Sequence, residues 1–266
     1  MRADGLDIDE SQPSIARVYD YFLGGKDNYA CDREFAQKLV GFAPEARTMA
    51  RDNRAFLGRV VRFLARQGIR QFIDIGTGLP TQDNVHEAVQ AIASDARVAY
   101  VDNDPIVLVH ARALLADNLN TIVIEGDLRR PKEILEHPCL NGLIDFTKPM
   151  AILLVGVLYY LANEEKPWEI VAELRDAMPS GSYLALSHII SDDRPEAISQ
   201  AQELYRQILK GKGDARRCRA QVQALFDGLE MVEPGLVYAH QWRSGWRAET
   251  ADQRPRWILG GVGRKN

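Results

Sequence analysis

One stretch constrains this chain more than any other: Gln71-Phe72-Ile73-Asp74-Ile75-Gly76-Thr77-Gly78-Leu79-Pro80-Thr81. Its first half is a short apolar run rich in β-branched residues and its second half is glycine punctuation, the pattern of a buried strand that ends in a tight turn. Behind the turn, Thr81 to Val89 carries the polar start and apolar spacing of a helix. Strand, glycine turn and helix together make a unit suited to nucleotides. Glycine lets a ligand approach the backbone, and the N–H groups of a helix start lie at the positive end of its dipole.

The side chains narrow the choice of nucleotide. A dinucleotide fingerprint requires Gly-x-Gly-x-x-Gly, and the third glycine position here is Thr81. Asp74 stands two residues before the first glycine, and an anionic side chain facing the ligand suits a positively charged cofactor better than a pyrophosphate. S-adenosylmethionine carries an ammonium and a sulfonium and no phosphate.

Asp-x-Gly-x-Gly, here Asp74, Gly76, Thr77 and Gly78, resembles motif I of the class I S-adenosylmethionine-dependent methyltransferases. The fuller string Asp74 to Thr81, taken with Tyr-Asp-Tyr-Phe-Leu-Gly-Gly-Lys-Asp-Asn from Tyr19 to Asn28, is similar to an actinobacterial methyltransferase-like family of uncharacterised substrate, S-adenosyl methyltransferase family 19 of the DUF574 type. The resemblance runs over nearly the whole chain. Pro80 departs from the broader superfamily, where a third glycine is often found, and there it can preset the entry into the helix.

The resemblance implies an α/β fold: a Rossmann-like, seven-stranded, mostly parallel sheet with an antiparallel C-terminal hairpin and an N-terminal helical extension. Residues 1–69 are expected to form the extension and residues 70–266 the cofactor-binding domain. Ile15, Val18, Tyr19, Phe22 and Leu23 fall on one helical face that Gly24 and Gly25 stop. A second short helix is expected from Asp32 as cap, and a longer one from about Glu45 to Gln67. The extension is expected to close over the cofactor as a lid, with Tyr19 and Tyr21 as candidate contacts.

Along the rest of the chain, Arg97 to Pro105 reads as a strand ending in carboxylates. By resemblance Asp102 takes the ribose hydroxyls, with Asn103 beside it, while Asp104-Pro105 starts a helix. Thr121 to Leu128 reads as a third strand; the resemblance gives Asp127 the adenine amino group, with Leu128 against the ring. Arg129-Arg130-Pro131 behind it reads as a solvated turn. The fourth strand leads to Leu158-Tyr159-Tyr160, where many methylases of nucleobase or glutamine nitrogens carry Asn/Asp-Pro-Pro-Tyr/Phe; its absence argues against those substrates.

Asn163 is a candidate cap for the following helix, with Pro167 in its first turn. His188 lies near the carboxyl end of the fifth strand, where open α/β sheets place ligands. It is either a proton carrier or a hydrogen-bonded structural histidine. His188, Tyr159 and Tyr160 are the candidates for a base or for acceptor contacts. The basic run Lys210 to Arg219 reads as a solvated loop, and Glu230 to Trp242 with Arg256 to Val262 as two closing strands.

Composition excludes several classes of partner. A net charge of −4 and a pI near 5.8 give no general attraction to nucleic acid or anionic membrane, and no apolar run approaches the roughly 20 residues of a bilayer span. The three cysteines, Cys31, Cys139 and Cys218, lie far apart with no metal-ligand spacing and read as reduced thiols. The expectation is a cytoplasmic enzyme using S-adenosylmethionine, no metal and a small-molecule acceptor, with no reading of oligomeric state. The alternatives are an NAD(P)-dependent oxidoreductase and a non-catalytic S-adenosylmethionine-binding protein.

Overall fold

The computed structural model describes residues 9–80, 83–115, 118–192, 194–208, 214–245 and 256–266. Three helices come first: α1 (Ile15–Leu23), α2 (Ala30–Phe42) and α3 (Ala46–Arg66). α1 is capped by Ser14 and ends at Gly24 in the left-handed region, φ 85°. α2 begins two residues before the expected cap. Asp32 is the third residue of the helix, and its carboxylate accepts a 2.8 Å bond from the Tyr29 backbone N–H, the acidic half of a capping box. The same carboxylate is fully buried against Arg17, 2.7 Å away.

The sheet that follows is built from β1 (Gln71–Ile75), β2 (Arg97–Asp102), β3 (Thr121–Glu125), β4 (Ala151–Val155), β5 (Tyr183–Ile189), β6 (Glu230–Met231), β7 (Val237–Tyr238) and β8 (Ile258–Arg264). Its order is β3-β2-β1-β4-β5-β8-β6, with β7 also on β8. The first five strands are parallel, and β8 runs antiparallel to β5. Among the described residues the sheet therefore has eight strands where seven are expected. The first arm of the predicted hairpin is broken, so β6 pairs with Met231 opposite Gly263 and β7 with Val237 opposite Gly260. Between them Pro234 offers no N–H and Gly235 takes φ 82°, which interrupts the ladder.

Helices cover both faces: α4 (Val85–Gln90), α5 (Pro105–Leu114), α6 (Pro131–Leu135), α7 (Pro138–Leu143), α8 (Pro167–Ala177), α9 (Pro195–Ile208) and α10 (Arg219–Gln223). α8 starts after Lys166 rather than at Asn163, which opens a separate short 3-10 turn, Asn163–Glu165. On one face Ile134, Leu140, Leu174 and Phe226 pack against Ile73, Ile152 and Leu186. On the other, Phe56, Val60, Val61 and Leu64 of α3 pack with Phe72, Val98, Leu153 and Val262.

Burying those four α3 side chains contributes about 1.5–3 kcal/mol each, so α3 is a layer of the sheet's own core. The helix lies close because Gly260 has no side chain; a Cβ there would stand 2.7 Å from Phe56. α1 and α2 form a smaller cluster with Leu204 and Tyr205 of α9, through Val18, Phe22, Phe35 and Leu39. Among the described residues, no helix is long and apolar enough to cross a membrane.

Candidate functional site

β1 has β2 on one side and β4 on the other, so the strand order reverses beside it and a crevice opens outside the carboxyl ends, where open α/β sheets bind ligands. The structure has a cavity of about 650 Å³ there. Its wall takes Asp74, Gly76, Thr77 and Gly78 from the β1 tip, Asp102 and Asn103 from β2, Asp127 and Leu128 from β3, and Gly156 and Tyr160 beyond β4; Tyr19 of α1 faces it as well. Of the residues singled out from sequence, Tyr21, Tyr159 and His188 are outside this lining.

The glycine turn is shaped by close approach. Gly76 has φ 75° and donates its N–H to Val101 O at 2.8 Å; a Cβ on it would meet Val157 Cγ2 at 2.5 Å. Gly78 has φ 69°, and a Cβ there would meet no atom within 4 Å. Its N–H donates to Asp102 Oδ2 at 2.9 Å, while the Asp104 N–H donates to Asp102 Oδ1 at 2.9 Å. Each Asp102 oxygen thus holds one backbone donor and keeps lone-pair capacity for a hydroxyl. Burial raises the Asp102 pKa.

Asp74 is 3% exposed and accepts from the Thr77 hydroxyl at 3.1 Å. Burial pushes its carboxyl up to about 6, opposed by the Arg54 charge and the Thr77 hydrogen bond. The expected helix start is displaced. α4 begins at Val85, and the Asn84 N–H before it is taken by Glu87 Oε2 at 2.7 Å. Thr81, expected to open that helix, lies outside the described residues. A pyrophosphate would face the Asp74 carboxylate and a helix start capped by its own side chains, an arrangement poor for a dinucleotide.

The turn after β3 is less solvated than its sequence suggests. Arg129 lines the cavity and grips Asp127, with Nε 2.8 and 3.1 Å from the two carboxylate oxygens, and reaches Glu165 at 3.4 Å. Burial raises the Asp127 pKa, but the Arg129 hydrogen bonds and charge prevail and hold it below the usual carboxylate range. Arg130 does point outward.

Several wall residues carry no motif. Ser14 caps α1 and donates from its hydroxyl to Asp104 Oδ2 at 2.6 Å, tying the N-terminal helix to the β2 tip. Asn53 of α3 donates to the Tyr19 hydroxyl at 3.1 Å and accepts from the Ser187 hydroxyl at 2.6 Å. It also approaches Gly156, where a Cβ would lie 2.8 Å from Asn53 Nδ2. Arg54 faces the same space. Their signal in the sequence was faint: Asp52 and Asn53 stand four residues before Phe56 and Leu57, so polar side chains continue an apolar stripe.

His188 is fully buried behind the wall. Its Nδ1 lies 2.5 Å from Ile189 O and its Nε2 2.8 Å from Arg217 Nη1. Arg217 can only donate, so Nε2 accepts and Nδ1 carries the proton. Burial, reinforced by the Arg217 charge, lowers the His188 pKa to about 3. Arg217 itself, read from sequence as part of a solvated loop, is fully buried. It donates to Leu158 O at 3.0 Å and Leu161 O at 2.8 Å, bracketing Tyr159 and Tyr160. Residues 209–213 of that loop are outside the described set.

The Tyr159 ring meets Tyr160 at a tilt, 4.4 Å between centroids, and Tyr160 meets Tyr205 edge to face at 5.4 Å. Burial raises the pKa of Tyr159 and Tyr160 far above neutrality, so both present protonated hydroxyls. Among the described residues, no group of His, Cys, Asp and Glu side chains is placed to hold a metal ion.

A family model described as S-adenosyl methyltransferase matches residues 2–266. A crystal structure of a proposed methyltransferase from Thermobifida fusca is 43% identical, with a TM-score of 0.91 over 99% of this chain and 98% of that one. A DUF574 family protein from Streptomyces avermitilis is 38% identical, with a TM-score of 0.90 over 97% and 99%. An O-methyltransferase family protein from Burkholderia thailandensis shares the fold at 17% identity, TM-score 0.51, over 85% of this chain and 61% of that one. No curated protein matches the sequence. The sheet order, the glycine turn beside the cavity and a match spanning nearly the whole chain agree: this chain belongs to the S-adenosyl methyltransferase family and is an S-adenosylmethionine-dependent methyltransferase.

Proposed function

We propose that the cavity at the strand tips holds S-adenosylmethionine in one orientation and passes its methyl group to a small molecule entering between α1 and the β4 tip. The supporting observation is that one cavity of about 650 Å³ gathers Asp74, Gly78, Asp102 and Asp127 with Tyr19, Asn53 and Tyr160. That volume lies within the roughly 300–1,000 Å³ of small-ligand sites. In this reading Gly76, Thr77 and Gly78 admit the methionine portion and Asp74 takes its ammonium. Asp102, with Asn103 beside it, takes the ribose. Asp127 accepts from the adenine amino group, and Leu128 packs on the ring. The open space at the Gly78 Cβ position and the remaining lone pairs of Asp102 suit such a ligand.

S-adenosylmethionine supplies an activated methyl group when bound. The protein's own contribution is then alignment and exclusion of water. Ser14 ties α1 to Asp104 across the cavity, which supports a covering role for the N-terminal helix. Tyr19, Tyr160 and Asn53 are hydrogen-bonding groups for the acceptor. His188 is a positioning residue in this reading, because both its ring nitrogens are engaged and Arg217 links it to the Tyr159–Tyr160 turn. The mild negative charge of the chain favours a small molecule over nucleic acid.

The test is calorimetric titration with S-adenosylmethionine, S-adenosylhomocysteine and NADH, repeated on Asp102→Ala. The expected result is micromolar binding of the two adenosyl compounds, none of NADH, and a loss of at least tenfold in the variant. An Asp102→Ala protein that binds as well as wild type would refute the orientation.

A further inference from the structure

We infer that Asn53 selects the methyl acceptor: it presents an amide N–H rather than an amide oxygen beside Gly156, and so takes an uncharged hydroxyl compound on an apolar ring frame in preference to an amine or an ionised acid. The inference rests on the cofactor orientation proposed above.

The neighbours of the Asn53 amide decide which way it faces. The Tyr19 hydroxyl lies 3.1 Å from Ala50 O, a carbonyl that can only accept, so Tyr19 directs its proton there. The Tyr19 oxygen must then accept from Asn53, 3.1 Å away, which turns Nδ2 towards Tyr19. Oδ1 faces the other way and accepts from the Ser187 hydroxyl at 2.6 Å. Ser187 is fully buried and is not a wall residue of the cavity, so the amide oxygen is turned from the ligand space. The side chain, 3% exposed, is held at both ends. Of its two N–H groups one goes to Tyr19, and the second is left for a molecule in the cavity that Asn53 lines.

The place of this donor gives it its role. The β4 tip, Val155-Gly156-Val157, has no polar side chain, and a Cβ on Gly156 would stand 2.8 Å from Asn53 Nδ2. The polar group over the tip is therefore supplied by α3. A neutral amine nitrogen has one lone pair, and a hydrogen bond from Asn53 would occupy the electrons it needs to take a methyl group. A hydroxyl oxygen has two, one for Asn53 and one to spare. The surroundings are uncharged: β4, the turn after it and α9 contribute Val155, Gly156, Val157, Tyr160, Leu161 and Ile208 to the wall. The wall carboxylates belong to β1, β2, β3 and the turns after them. Arg129 is held by Asp127 and Glu165, and Arg54 donates to Asp83 O and Asn84 Oδ1. An ionised acceptor would lose its hydration here without a partner, whereas the rings of Tyr19 and Tyr160 suit an aromatic frame.

The experiment titrates the protein, saturated with S-adenosylhomocysteine, with 2-naphthol, 2-naphthylamine, 2-methylnaphthalene and 2-naphthoate, following naphthyl fluorescence. Wild type is expected to bind 2-naphthol tighter than 2-naphthylamine by about threefold or more, and tighter than 2-naphthoate by about tenfold or more. Asn53→Leu, which keeps the bulk and removes the donor, is expected to weaken 2-naphthol by about threefold or more, within the roughly two- to twelvefold carried by one net hydrogen bond. The same variant should change 2-methylnaphthalene and S-adenosylhomocysteine by less than about twofold, with circular dichroism establishing its fold. Unchanged 2-naphthol affinity in the variant, or an equal loss of 2-naphthol and 2-methylnaphthalene, gives Asn53 a packing role only and overturns the inference. A wild type that prefers the amine or the acid overturns it without any variant. Wild type that holds S-adenosylhomocysteine but none of the naphthyl probes overturns the acceptor class alone; wild type that does not bind S-adenosylhomocysteine removes the cofactor orientation as well.

Discussion

Asp74→Asn is expected to stabilise the cofactor-free protein while weakening its hold on cofactor. The Asp74 carboxyl is buried and its pKa stands near 6 rather than its ordinary value of 3.8. A raised carboxyl pKa means that the folded state prefers the protonated acid. Its stabilising contribution is full below pH 3.8 and is lost as pH rises through 6. At pH 7 the ionised group therefore costs the fold about two pKa units, or roughly 3 kcal/mol. Asparagine removes that charge in nearly the same volume.

At about 2.1 cal/mol/K per residue, the unfolding entropy of 266 residues is roughly 0.56 kcal/mol/K, so 3 kcal/mol is a rise of about 5 °C in Tm. The assay is differential scanning calorimetry of both proteins from pH 4 to 8, with and without S-adenosylhomocysteine. The apo difference is expected to open between pH 4 and 7, and the ligand-induced shift is expected to shrink in the variant. A variant less stable than wild type at pH 7 would show that Arg54 and Thr77 compensate the carboxylate fully, and the reasoning would fail.

Arg217→Met leaves Leu158 O, Leu161 O and His188 Nε2 without their donor in a buried site; a loss of about 3–5 kcal/mol is expected, read as a Tm lower by about 5–9 °C. His188 gives a pH signature of opposite sense to Asp74. Its pKa is depressed to about 3, so stability is full above pH 6.5 and is lost as pH falls towards 3, by about 2 kcal/mol at pH 5; replacing His188 with glutamine should flatten that limb of a urea-unfolding series. Gly78→Ala places a side chain at φ 69° with room around it in the cofactor-free protein. A stability loss of about 1–2 kcal/mol is expected from the backbone alone, together with a much larger loss of S-adenosylhomocysteine affinity by calorimetry; equal binding would mean that the ligand does not approach this turn.

Much of the architecture was legible in the chain. α1, α3 and the five parallel strands stand where periodicity and glycine punctuation put them, because each signal is local: an apolar repeat, a cap, a residue that permits positive φ. The errors have physical causes. The edge of the sheet was read as one strand because its apolar content continues through Pro234 and Gly235, whose backbones interrupt the ladder. Arg217 was read as solvated because its neighbours in sequence are basic, whereas three acceptors from distant segments bury it. Arg129 was assigned to solvent although Asp127 and Glu165 hold it at the cavity.

By itself the sequence determined the β–turn–α unit, the run of carboxylates at the strand tips and the family, since these depend on residues close together in the chain. Only the tertiary structure decided which other side chains share the cavity with them. Ser14, Asn53 and Arg54 come from helices before β1, and Tyr160 comes from beyond β4. Their meeting depends on α3 packing over the sheet and α1 reaching Asp104, contacts between residues far apart in sequence that no local pattern encodes. His188 makes the same point in reverse: its place at a strand end suggested chemistry, and its distant partner Arg217 occupies the nitrogen that would have performed it.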